Sequence, residues 1–181
     1  MNIVVLLGTV RKGRQSEKPY RVILDLLKKK GAEVVAVDCA DLDLPRFDGE
    51  RYEHAGVKLL TSAVAAADAI IVVTPEYNHF IPGVLKDAID FCRKREIMSK
   101  PLATVGVSSG AFGGVRAIKQ LEAIWIGSKG IVLPVFLPTP MIEQFDEQNP
   151  PTDWLAKAES FVDLAIQMFT VIAEGKKIVA K

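Results

Sequence analysis

Apolar runs and helix-period segments alternate five times along this chain. The first run, "NIVVLLG", is short, continuous and rich in β-branched residues. It reads as a strand buried on both faces. "AEVVAVDCA", "AIIVVT", "PLATVGVSS" and "IVLPVF" follow as further strands. Between them lie "SEKPYRVILDLLKKKG", "AGVKLLTSAVAAAD", "PGVLKDAIDFCRKR" and "GGVRAIKQLEAIWIGSKG". Each carries apolar residues at helical spacing, such as Val22, Ile23, Leu26 and Leu27 in the first. Ser16 stands as the N-cap of that helix and Gly31 follows its last lysines. A last helix is expected from residue 152 to about residue 173. Strict alternation predicts a parallel sheet covered on both faces. Five such units give a three-layer, doubly wound α/β domain with the flavodoxin-like strand order 2-1-3-4-5.

One domain is expected over the whole chain, since 181 residues suit a single core. The formal net charge of +1 offers no strongly basic face for nucleic acid. The first apolar run is too short for a signal peptide or membrane span, and no other stretch reaches about 20 apolar residues. Neither membrane nor nucleic acid is therefore an expected partner. Cys39 and Cys92 lack CxxC spacing and sit in apolar contexts. They read as buried thiols of a cytoplasmic protein in a reducing compartment. His54 and His79 are too differently placed to make a metal site.

Doubly wound sheets bind ligands beyond the carboxyl ends of their strands. That rule directs attention to three loops. "GTVRKGRQS", after the first strand, ends at a helix N-terminus, where backbone N–H groups favour an anion. Thr9, Gln15 and Ser16 add polar groups, while Arg11 and Arg14 add guanidinium forks suited to phosphate. There is no GxGxxG or P-loop pattern, so the expectation is a monophosphate cradle. The loop after the third strand carries Pro75, Glu76, Tyr77 and Asn78. Pro75 ends the strand, Tyr77 offers an aromatic face, and Glu76 and Asn78 offer a polar edge. In "SSGAFGG", after the fourth strand, Ser108 and Ser109 supply hydroxyls. Gly110 and Gly113 permit positive φ and close backbone approach. A phosphate at the first loop and a flat ring between the other two describe flavin mononucleotide, FMN.

On these motifs the chain resembles the NADPH-dependent FMN reductase family, which includes bacterial chromate, quinone and azo-dye reductases. "PEYNHFIPGVLKDAIDF" is similar to the family's segment after strand three, and Phe80 stands where a small residue is usual. "GTVRKGRQS" resembles its phosphate loop, with Arg14 where a small hydroxyl residue is common and Ser16 where asparagine often stands. "SSGAFGGVRAIKQL" is similar to the third family segment. The resemblance implies non-covalent FMN, oxidation of NADPH or NADH, and two-electron transfer to a quinone, free flavin, azo compound or metal oxyanion. It also implies a homodimer or homotetramer. Phe91, Trp125 and Ile126 fit that expectation as apolar residues beside the core faces of two helices. No catalytic side chain is required, because the cofactor carries the chemistry. Tyr77 and Phe80 are the expected lining of the open ring face. Two other readings stay open: a flavodoxin-type electron carrier, and a non-catalytic flavodoxin-like binding module.

Overall fold

Alternate residues of the central strands feed two separate cores. Ile3, Val5 and Leu7 of β1 (Asn2–Leu7) face one side of the sheet, and Val4 and Leu6 face the other. The same division holds in β3 (Ala69–Pro75), where Ile71 and Val73 oppose Ile70 and Val72. This explains the uninterrupted apolar runs, since every position from Ile3 to Leu7 and from Ala69 to Pro75 is buried. The structure is a computed structural model that describes residues 1–179, so the last two residues of the expected domain lie outside the described residues.

The five strands are β1, β2 (Glu33–Asp38), β3, β4 (Pro101–Val107) and β5 (Ile131–Thr139). They are all parallel and lie in the order β2-β1-β3-β4-β5, as expected. The helices are α1 (Glu17–Lys29), α2 (Ala55–Ala66), α3 (Gly83–Phe91), α4 (Lys94–Ile97), α5 (Val115–Gly127) and α6 (Thr152–Val179). Helices α1 and α6 cover one face with Ile23, Leu27, Trp154, Phe161 and Phe169. Helices α2, α3 and α5 cover the other with Leu60, Leu85, Ile89, Leu121 and Trp125. Burying each such aliphatic side chain contributes roughly 1.5–3 kcal/mol. Pro134 and Pro138 lie in β5, an edge strand, where a missing N–H is tolerated.

Three expectations need correction. The third helix does not run on through "CRKR"; it stops at Phe91, Cys92 turns extended, and the short α4 follows. The break lets Ile97 enter the core at 1% exposure. It also sets the Arg93 guanidinium 4.2 Å from the Tyr52 ring centroid. Packing overrides helix propensity here. Second, Phe91 and Trp125 do not wait for a partner subunit. Phe91 is fully buried against Phe47 and Tyr52, at centroid distances of 5.1 and 5.9 Å. Trp125 is buried and donates its indole N–H to the Lys100 carbonyl at 2.9 Å. Only Ile126 of the three is exposed. The final helix also continues past residue 173, to Val179. Among the described residues no helix is long and apolar enough to cross a membrane, and no group of three or more metal-ligating side chains is found.

Candidate functional site

The parallel sheet brings the loops after β1, β3 and β4 to one edge, because all three strands end there. They enclose a cleft of about 240 Å³. From the first loop, Arg11, Arg14, Gln15 and Ser16 line it. Pro75, Glu76 and Tyr77 come from the second, and Ser108 and Ser109 from the third. Thr9, Asn78, Gly110 and Gly113 lie beside the cleft rather than in its lining.

Thr9 is buried beneath the cleft. Its Oγ1 lies 3.0 Å from the Tyr77 hydroxyl and accepts the Arg11 N–H at 3.3 Å. One threonine thus ties the first loop to the second. Ser16 occupies the N-cap position of α1, yet its side chain does not cap the helix. Its Oγ is buried without a hydrogen-bond partner. An orphaned buried hydroxyl costs about 1–3 kcal/mol. Placed at a helix N-terminus in the cleft wall, it fits a phosphate oxygen that would accept a hydrogen bond from it. Arg11 is exposed and lines the same end.

Arg14 is differently engaged. Its guanidinium forms an ion pair with Asp38, donates to the Thr9 carbonyl at 3.3 Å, and lies 3.6 Å from Glu17 Oε2. Its side chain is only 13% exposed, so it forms a fixed wall. Asp38 lies at the end of β2, 24 residues away, and no local pattern announces the pair.

Glu76 binds the second loop to the first turn of α5, which follows the third. One carboxylate oxygen accepts the Arg116 backbone N–H at 3.1 Å, and the other accepts Arg116 Nη1 at 3.3 Å. His79 Nδ1 lies 3.3 Å from that second oxygen. Burial pushes the Glu76 carboxyl up, but the contacts from His79 and Arg116 outweigh it and hold the group below its ordinary value. Asn78 stands exposed at the tip of a tight turn, with φ of 50°. His79 follows at 65°. Tyr77 and Phe80 close this turn by exchanging both backbone hydrogen bonds at 3.0 Å. Asparagine tolerates the left-handed region better than most residues, so the turn itself accounts for its presence.

In the third loop packing accounts for Gly113 and Gly114, whereas Gly110 has open space around it and takes no positive φ, contrary to expectation. Gly113, at φ 59°, has Pro138 and Thr139 so close that a Cβ would come within 2.7 Å of them. Gly110 accepts from the Ser108 hydroxyl at 3.2 Å and from the Met141 N–H at 3.2 Å. That last contact introduces a fourth loop, after β5. It adds Ile142 and Glu143 to the lining, and the Ile142 N–H donates to the Ser108 carbonyl at 3.1 Å. The sequence reading passed over these two residues. The carboxyl-end rule that selected the other loops applies equally to this one.

Comparison with known proteins adds identity to this geometry. The sequence model of the NADPH-dependent FMN reductase family matches residues 1–143. An NADPH azoreductase of Bacillus sp. (strain OY1-2) is 31% identical over 136 residues, 74% of each chain. A quinone reductase of Escherichia coli (strain K12) is 30% identical over 158 residues, 82% of this chain and 83% of that one. The solved structure of FerB, a flavoenzyme NAD(P)H:(acceptor) oxidoreductase from Paracoccus denitrificans, superposes with a TM-score of 0.77. It covers 93% of this chain and 97% of its own at 24% identity, which speaks for the shared fold. The chain therefore belongs to the NADPH-dependent FMN reductase family of oxidoreductases.

Proposed function

We propose that the chain binds FMN in the four-loop cleft and moves two electrons from NADPH or NADH to a small acceptor, such as a quinone, an azo compound, free flavin or a metal oxyanion. FMN, when bound, supplies the two-electron relay between nicotinamide and acceptor. The observation that carries the reading is Ser16, whose buried, unpartnered hydroxyl stands at the N-terminus of α1 inside the cleft. Ser16, Gln15, Arg11 and the α1 N-terminus would hold the phosphate. Arg14, locked by Asp38, would fix the wall of that cradle. Pro75 and Tyr77 would flank the ring on one side, with Ser108 and Ser109 at its polar edge. Glu76 keeps the two ring-side loops in register through Arg116, so the pocket is preorganised before a ligand arrives. The protein's own part is to bind, orient and leave one ring face open to two successive partners. Assembly as a homodimer or homotetramer rests on family resemblance, since Phe91 and Trp125 are covered within the chain.

The test is a visible spectrum of the purified protein after incubation with FMN and gel filtration, followed by anaerobic mixing with NADPH and then a naphthoquinone. Retained flavin absorbance that bleaches with NADPH and returns with quinone supports the enzyme. Retained flavin that NADPH bleaches negligibly points to an electron carrier. Absence of retained flavin points to a binding module.

A further inference from the structure

Phe80 is a large apolar side chain left 44% exposed on a turn that the structure holds firmly. Three features fix it. The Tyr77–Phe80 pair exchanges both backbone hydrogen bonds, and the two central residues, Asn78 and His79, sit at positive φ. The His79 ring is held within 3.3 Å of Glu76 Oε1 and 3.4 Å of Arg116 Nη1. A non-glycine residue such as His79 enters the left-handed region at a cost, and persists there when its surroundings over-determine it.

Residues directly opposite in an antiparallel pair project to the same face of the ribbon. Tyr77 lines the cleft, so its opposite number Phe80 stands on the cleft side of the turn, at the mouth. The loop after β4 presents Phe112, 67% exposed, with the Arg116 guanidinium, which also donates to Glu76, 5.3 Å from its ring centroid. Two exposed aromatic rings on segments that the Glu76–Arg116 contact joins favour a partner that has a π-face of its own. A small hydrated oxyanion gains nothing from them.

We infer that Phe80 is a specificity-determining residue of the acceptor subsite. It selects flat, fused-ring acceptors such as naphthoquinones over inorganic oxidants. This rests on the flavin reading above. Phe80 does not join Tyr77 in lining the cleft, contrary to the expectation from sequence; it touches the acceptor and leaves FMN binding alone. The strained turn supplies what an exposed aromatic ordinarily lacks, a fixed direction.

The test compares parent, Phe80→Ala and Phe80→Tyr, each loaded with FMN. FMN affinity, and KM and kcat for a naphthoquinone and for ferricyanide, are measured. In Phe80→Ala the quinone KM should rise about three- to tenfold, the span of one lost aromatic contact. Ferricyanide kinetics and FMN affinity should stay unchanged. Phe80→Tyr should restore the quinone KM. Equal changes for both acceptors, no change for either, or failure of Phe80→Tyr to restore the KM would overturn the assignment while the flavin reading stands. A parent that binds no FMN would overturn both.

Discussion

The hydroxyl of Tyr77 lies 3.0 Å from Oγ1 of Thr9, so the loops after β3 and β1 share a polar contact at the floor of the cleft. The pair spans 68 residues of sequence. It makes the two loops mechanically dependent on each other. Tyr77→Phe keeps the aromatic ring and removes the contact. A double-mutant cycle with Thr9→Val should give a coupling of about 1 kcal/mol in unfolding free energy. Additive effects would show that the two loops are independent.

Glu76 should make stability pH-dependent at the acid end. Its carboxyl is held below the ordinary value of 4.5 by contacts made only in the fold. The unfolded chain therefore takes up a proton first as pH falls. The stabilisation is complete above the unfolded value and is lost as pH drops through the lowered one. Melting curves of the parent and Glu76→Gln between about pH 6 and about pH 3 should converge as pH falls. A constant difference would remove Glu76 as the source.

Both cysteines should be chemically silent in the native protein. Burial pushes the thiols of Cys39 and Cys92 up to about 12, and each is a free thiol in the core. The thiolate is the reactive form, so a thiol-titrating reagent should find neither cysteine without denaturant and both with it. Rapid labelling of the native protein would contradict this packing.

The sheet was legible because its central strands are buried on both faces, leaving no polar residue to blur the runs from Ile3 to Leu7 and from Ala69 to Val73. The cleft was legible in its three chief loops, because the carboxyl-end rule needs only strand order and direction. What stayed hidden depended on distant neighbours. The Arg14–Asp38 pair joins the first loop to the end of β2 across 24 residues, and no spacing rule foretells it. Phe91 looked available for a subunit contact because nothing local shows that Phe47 and Tyr52 fold over it. The break after Phe91 has no proline or glycine to mark it; burial of Ile97 decides it.

Gly114 should tolerate no side chain. It sits at φ 80°, and a Cβ there would lie 2.4 Å from the Val107 backbone nitrogen. Gly114→Ala should cost at least about 1–3 kcal/mol, seen as a lower denaturant midpoint. It should also displace the Ser108–Ser109 side of the cleft. An unchanged midpoint would show that the loop can open to accommodate the methyl group.

The most direct measurement is a pair of titrations, FMN and riboflavin, on the parent and on Arg11→Ala. Riboflavin has the same ring and lacks the phosphate. If Ser16, Arg11 and the α1 N-terminus hold a phosphate, the parent should bind FMN well above riboflavin. Arg11→Ala should then lose about 1.5–3 kcal/mol toward FMN alone, roughly ten- to a hundredfold in affinity. Riboflavin affinity should be unmoved. Equal parent affinity for the two ligands, or an equal loss of both in Arg11→Ala, would contradict a phosphate cradle at the start of α1.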